Sequence, residues 1–375
     1  MKVLLAGTHS AAAGYIAALL PVLKQRGHEV IVSLAFSAAD VMARDYPGIQ
    51  FIESQLTAAD LLKQQSPDHL CCCVVGVPTE FEPWEMQLAR EASRQRIVWS
   101  GHEEKEFTCT SDWLLPMWRE MNPSRIFVTE EGSALSLTAC GVNESLIQVA
   151  GSPVWDNLVE FDKEGVRKAV RGQLGLDDNS KLVVWIASKT SKVVEQDWLL
   201  IRRKLNQLNG SRRIILAVYF HPGCPDWRHT ATVENPHGCY HSIVTECDFA
   251  VLPGLDLFEQ GIQQRHVLAT ADLLISFGST MTLDAVFLGI PTVRPFTSGN
   301  FERVSGQRFP DRDLFSLVRH GCQIPLRQEA DWAVLDRLLN PNDEWRRSLI
   351  TNGLLFYPLS SGRGELIVKE IEKLH

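Results

Sequence analysis

No block of lysine or arginine occurs anywhere in the 375 residues, and the formal net charge is -8. Binding along a phosphate backbone needs a basic stripe, so a nucleic-acid partner is excluded. No apolar stretch reaches the roughly 20 residues of a membrane span. The segment Met1 to Leu23 pairs a lysine with apolar and small residues in the manner of a signal peptide. Gly7, His9, Ser10 and Gly14 interrupt it, however, and fit a strand, a glycine turn and a helix. A cytoplasmic protein is expected, with contact at a membrane surface left open. The nine cysteines include no CxxC pair, and His229, His237 and His241, eight and four apart, match no recognised metal site, so no metal is expected. Cys71-Cys72-Cys73 lie in an apolar, strand-like run and read as buried free thiols. Low-complexity tracts and short-period repeats are lacking as well.

What is present is a globular composition, 45% hydrophobic and 22% charged, in a chain long enough for two cores. Lys2-Ala6 reads as a strand buried on both faces, followed by a glycine turn, a helix from about Ala11 to Gly27 and a strand at Val30-Ser33: one βαβ unit. Strands near Phe51, at Leu70-Val75, Arg96-Ser100 and Arg125-Thr129 alternate with helices at Ala58-Gln65, Pro83-Arg94, Trp113-Glu120 and Glu131-Cys140. A short strand closes this half in the Gly/Pro turn of Gln148-Pro153. The charged helix Lys163-Leu176 leads into a second series: strands at Lys181-Ala187, Arg213-Phe220 and Ala250-Leu252, a helix over Leu257-Ala269, a strand at Ala271-Ser276, a helix over Met281-Leu288 and a strand at Pro291-Arg294. The fold class expected is α/β, two doubly wound parallel-sheet domains facing a cleft. Residues 1–155 form the acceptor-side domain and 156–360 the nucleotide-sugar-binding domain. Residues 361–375 form an amphipathic helix that packs back across the junction.

The run from Ala271 to Pro291 is the most informative. A buried strand ends at Ser276, and Gly278, Ser279 and Thr280 turn the chain into a helix whose free N–H groups and positive end suit an anion. Asp284, one turn inside, can accept hydrogen bonds from sugar hydroxyls; hydroxyl caps and an early acid are also routine features of helices that bind nothing. Ser188 and Lys189 follow the first strand of the second half and His221 ends another, so all three are candidates for the same donor site. Arg294, Arg303 and Arg308 follow a later strand, where a solvated loop is the simpler reading of each.

In the first half, His9 sits in the turn after the first strand, and an imidazole suits general-base work. Glu103 and Glu104 follow a strand end, where α/β sites collect their side chains; Glu104 and Glu106 read as a solvated loop. Glu130 and Glu131 open a helix and read as partners of its dipole.

Gly278 to Gly289 with Ile290-Pro291 resembles the donor-binding segment of GT-B glycosyltransferases, notably the N-acetylglucosaminyltransferase that makes lipid II. The resemblance implies a diphosphate at the Gly278 turn and a ribose on Asp284. Val98-Trp-Ser-Gly-His-Glu-Glu104, Arg125-Ile-Phe-Val-Thr-Glu-Glu131 and Val149-Ala-Gly-Ser-Pro-Val-Trp-Asp156 resemble the non-hydrolysing UDP-N-acetylglucosamine 2-epimerases. There His102-Glu103 falls near a His-Val-Glu segment with a catalytic acid, and His221-Pro222 near a His-x-Asn-Pro. That family's Gly-Thr-Arg-Pro-Glu opening is Gly7-Thr8-His9-Ser10-Ala11 here, and its Ser-Gly-Gly-x-x-Glu-Glu is replaced by Gly-Ser-Thr-Met-Thr-Leu-Asp.

The expectation is thus a glycosyltransferase that moves a sugar from a nucleoside-diphosphate donor, a UDP-sugar, to a hydroxyl or amine acceptor of unknown identity. It needs no cofactor beyond that co-substrate. His9 and Glu103 are its catalytic candidates, and a homodimer is left open. The alternatives are a nucleotide-sugar 2-epimerase or hydrolase, and a nucleotide-sugar-binding protein without catalysis.

Overall fold

The first strand, β1 (Lys2–Gly7), is buried along all but its first residue, as a strand covered on both sheet faces must be. It belongs to a computed structural model that describes residues 1–53, 56–73, 82–103, 115–187, 191–219, 247–277, 279, 281–296 and 316–375. The chain divides into two units, Met1–Val159 with Leu359–His375, and Glu160–Pro358.

The first unit is a seven-stranded parallel sheet in the order β3-β2-β1-β4-β5-β6-β7, where β2 is Glu29–Leu34, β3 Ile52–Glu53, β4 His69–Cys73, β5 Val98–His102, β6 Arg125–Val128 and β7 Ile147–Val149. Alternation along β1 and β4 separates its two faces. Val3, Leu5, Cys71 and Cys73 share a core with Ile16, Leu19 and Leu23 of the helix Ser10–Gln25 and with Ile367, Val368 and Ile371 of the closing helix Arg363–Glu372. Leu4, Ala6, Leu70 and Cys72 pack on the other face against the helix Trp84–Gln95.

The second unit is a six-stranded parallel sheet in the order β10-β9-β8-β11-β12-β13, with β8 at Lys181–Ile186, β9 at Ile214–Tyr219, β10 at Ala250–Pro253, β11 at Leu273–Ser276, β12 at Thr292–Pro295 and β13 at Gln323–Leu326. Asp272, 5% exposed, ties its lower edge together. Its carboxylate accepts from the Leu182 backbone N–H at 2.9 Å and pairs with Arg167 at 2.9 Å and Arg171 at 3.6 Å, joining β8 and β11 to the helix Lys163–Gln173.

Both units are Rossmann-like, as the alternation of strand and helix signals predicts. The structure departs from the sequence reading in places. The single helix expected over Leu257-Ala269 is two, Gly254–Glu259 and Gln264–Thr270, separated at Gly261, whose φ of +78° no right-handed helix accommodates. Helices at Phe36–Asp45 and Ser191–Asn209, and strand β13, add to the expected elements.

In each sheet the strand order reverses direction once, between β1 and β4 and between β8 and β11. Parallel α/β sheets bind ligands outside the carboxyl ends of the strands at such a point. The residues after β1 and those after β11 therefore occupy the places where the topology of each unit favours a site.

Candidate functional site

In the first unit β1 stops at Gly7, where a Cβ atom would lie 2.4 Å from that of Ala12; only glycine lets the helix Ser10–Gln25 start so close to the strand. Thr8 is pinned next. Its carbonyl accepts from the Ala38 N–H at 3.0 Å and the Ser37 hydroxyl at 3.2 Å, and its hydroxyl accepts from the Trp84 N–H at 2.9 Å while donating to the carboxylate of Glu85. Glu85 has no exposed surface. Sequence reasoning did not single it out, and nothing in its spacing to Thr8, 77 residues away, reveals the pair.

His9 is the N-cap of the helix Ser10–Gln25: its Nδ1 accepts from the Ala11 N–H at 3.3 Å. That bond requires a lone pair on Nδ1, so the cap fixes a ring with its proton on Nε2. Glu103 follows β5 directly, is 2% exposed, and its backbone N–H donates to the Phe127 carbonyl at 2.9 Å. Glu130, 8% exposed, is the N-cap residue of the helix Glu131–Ala139, but its carboxylate makes no capping hydrogen bond. Reading Glu130 as a dipole partner therefore misses its burial. Glu131 is exposed, as such a partner should be. Glu85, Glu103 and Glu130 are thus three buried acids in or beside the segments after β1, β5 and β6. Glu104 and Glu106 lie outside the described residues.

In the second unit Ser276 organises the turn after β11. Its hydroxyl oxygen accepts from the Thr282 hydroxyl at 3.1 Å and the Ser279 N–H at 3.4 Å, and the Ser279 hydroxyl accepts from the Met281 N–H at 3.3 Å. Gln323, from β13, donates to the Ser276 carbonyl at 3.2 Å. Asp284, in the helix Met281–Phe287, is largely buried and pairs with Arg265 at 3.3 Å. The guanidinium of Arg265 was not singled out by sequence reasoning, and a ribose held as the resemblance implies would share the carboxylate with it. Arg294 is not the solvated loop residue expected: it lies in β12, 2% exposed, with its guanidinium 5.9 Å from the Phe277 ring. Tyr219 ends β9 with a buried hydroxyl that has no partner among the described residues, and burial raises its pKa.

Ser188, Lys189, His221, Gly278, Thr280, Arg303, Arg308 and the three histidines from 229 to 241 lie outside the described residues, as do Cys109, Cys224 and Cys239. Cys71, Cys72 and Cys73 are buried free thiols, their pKa raised first of all by burial. Among the described residues no group of three or more His, Cys, Asp or Glu side chains is placed to hold a metal ion, and no helix is long and apolar enough to cross a membrane.

No family model and no curated protein matches the sequence. Solved structures do. A UDP-GlcNAc 2-epimerase from Neisseria meningitidis bound to UDP-GlcNAc superposes with a TM-score of 0.66 at 13% identity, covering 100% of both chains. The UDP-GlcNAc 2-epimerase of Methanocaldococcus jannaschii gives 0.62 at 14%, and Anabaena HepE in complex with UDP and glucose gives 0.64 at 15%, each again covering 100% of both chains. These likenesses overturn the expected glycosyltransferase. The resemblance on which that expectation rested covers one short segment, Gly278–Asp284, whereas the likeness to structures named as 2-epimerases runs the length of both chains. The chain has the two-domain, GT-B-like fold of these structures.

Proposed function

We propose that the protein is a nucleotide-sugar 2-epimerase acting on a UDP-sugar. The observation that carries this reading is Glu103, a carboxyl group 2% exposed and set directly after β5, in a chain whose fold matches 2-epimerases from end to end. Inverting C2 of a sugar requires one group to take a proton from one face and another to return a proton to the opposite face. C2 adjoins the carbon that bears the diphosphate, so loss of its proton is helped by departure of that leaving group. A positioned carboxyl group can do either task, taking a proton as the base or returning one as the acid. In this reading Glu103 takes or returns the C2 proton, Thr8 held by Glu85 shapes the turn after β1, and His9 offers Nε2 to the sugar. The turn organised by Ser276 receives the diphosphate together with Gly278, Thr280, Ser188, Lys189 and His221, and Asp284 holds the ribose. Donors fixed in advance stabilise charge on a leaving diphosphate without reorganising during the reaction.

Incubation of the protein with UDP-GlcNAc in deuterated water tests it: deuterium enters at C2 and the C2 epimer accumulates. Glu103→Gln lowers that rate by roughly 10²- to 10⁴-fold, the usual contribution of a positioned acid or base. A protein that binds UDP-sugars by calorimetry yet exchanges no C2 hydrogen sinks the epimerase reading and leaves a binding protein.

A further inference from the structure

One face of the first sheet carries a polar stripe through an otherwise apolar core. β4 and β5 pair in register, His69 with Val98, Cys71 with Ser100 and Cys73 with His102, so alternate residues of both strands point to the same side. On that side the Tyr15 hydroxyl, from the helix Ser10–Gln25, bonds His102 Nδ1. His102 Nε2 lies 3.3 Å from the Ser100 hydroxyl, which lies 2.9 Å from His69 Nε2, and His69 Nδ1 lies 3.2 Å from Nε2 of His375. His69, Ser100 and His102 have no exposed surface and Tyr15 has 2%, whereas His375 is exposed. His102 is the last residue of β5, the neighbour of Glu103, and His69 is the first residue of β4. The chain of five groups therefore runs from the carboxyl edge of the sheet, through its core, to solvent beyond the opposite edge.

We propose that Tyr15, His102, Ser100, His69 and His375 form a proton route connecting the carboxyl edge of the first sheet to solvent. Each inner group carries one donor and one acceptor, and burial pushes both buried imidazoles down to about 3, so they stay neutral. Two complete hydrogen-bond patterns then exist. In one, every donor points toward His375: Tyr15 O–H to Nδ1 of His102, its Nε2–H to Ser100, the Ser100 O–H to Nε2 of His69, and its Nδ1–H to His375. A hop along each bond moves one proton per link and produces the reverse pattern. A proton taken up at the carboxyl edge of the sheet replaces the one Tyr15 gave up, and His375 releases one to solvent, so no charge remains in the core. The Cys71 thiol, 3.8 Å from Ser100, is held protonated by burial and does not interrupt the chain.

The use of such a route rests on the epimerase reading. After each turnover the group that took the C2 proton holds one too many and the group that returned a proton lacks one. Sending one proton outward converts the first pattern to the second, and bringing one inward converts it back, so the route and both groups return to their starting states.

Exchange of the His102 ring N–H with deuterated water, followed by ¹⁵N-edited NMR, tests the route without reference to activity. Backbone amides of β5 report structural opening, and the ring N–H exchanges at least about 100-fold faster than they do if protons pass through a closed structure. Ser100→Ala brings the ring down to the amide rate, and Ser100→Thr, which keeps the hydroxyl, restores it. A wild-type ring that exchanges no faster than the amides overturns the proposal even if Ser100→Ala does not fold, as does a folded Ser100→Ala variant with unchanged ring exchange. In a parallel assay with UDP-GlcNAc, Tyr15→Phe keeps ring exchange through His375 but lowers kcat, and added small buffer acids raise it again. A wild-type protein inert toward every UDP-sugar removes the epimerase reading and leaves the exchange result to decide the route.

Discussion

His69 and His102 sit in a folded protein that accepts them only as neutral rings, and that has a measurable cost in acid. Their ordinary pKa of 6.5 falls to about 3, for His69 by burial first and then by the neighbouring His375 and His102, and for His102 by burial. The sign is that of a base whose folded pKa is depressed. Above 6.5 neither folded nor unfolded chain holds these protons and stability is complete. Between 6.5 and about 3 the unfolded chain binds protons that the folded one refuses, so stability drops by up to about 1.4 kcal/mol per pH unit for each ring. Urea midpoints should accordingly fall between about pH 7 and about pH 5, and the fall should be smaller in His102→Gln. An identical pH dependence in that variant would show that other groups cause the loss.

Packing between elements sets a second expectation. Gly101, in β5, lies under the indole of Trp118 from the helix Leu115–Glu120, and a Cβ there would come within 2.2 Å of the ring. Trp118 is 1% exposed, so the ring has no room to retreat. Gly101→Ala should cost about 1–3 kcal/mol, as overpacking a close-fitted core does, and thermal unfolding measures it. The sequence pattern Trp-Ser-Gly-His reads as a strand end, but the reason for the glycine lies 17 residues away, at Trp118. This is the general division of what could be read. Runs such as Lys2-Ala6 and Lys181-Ala187 announce themselves because a strand buried on both faces must be apolar throughout. The helix Phe36–Asp45 does not, since it begins with Phe36 at φ +49° and 63% exposed, against both propensity and burial. β13 is hidden by Pro325, which a strand tolerates at the sheet edge it occupies. Glycine turns and strand-end acids marked the candidate residues. The partners that fix the surrounding turns, Glu85 for Thr8, Arg265 for Asp284 and Gln323 for Ser276, come from other elements of the chain, and no local pattern encodes them.

At the scale of the whole chain, the first unit is made of two separate stretches, and its last stretch closes the core. Ile367, Val368 and Ile371 have no exposure, and the helix that carries them is fastened to the N-terminal stretch by polar contacts. Arg26 pairs with Glu365 at 3.3 Å and also with Glu372, Arg363 with Asp156 at 3.4 Å and Arg125 with Glu370 at 3.7 Å. Burying each aliphatic side chain contributes roughly 1.5–3 kcal/mol, so the three together approach the full stability of an ordinary domain. The second unit has a core of its own, with Val183, Trp185, Leu216, Leu273 and Leu335 all within Glu160–Pro358. A chain truncated after Pro358 should therefore lose the first unit while the second still folds. In calorimetry the transition that Gly101→Ala shifts should vanish on truncation. The remaining transition should still respond to UDP, rising by about 2.7 kcal/mol at 100 times the dissociation constant. Loss of both transitions on truncation would mean that the second unit cannot stand alone. A surviving transition indifferent to UDP would take the nucleotide site away from Asp284 and the turn built on Ser276.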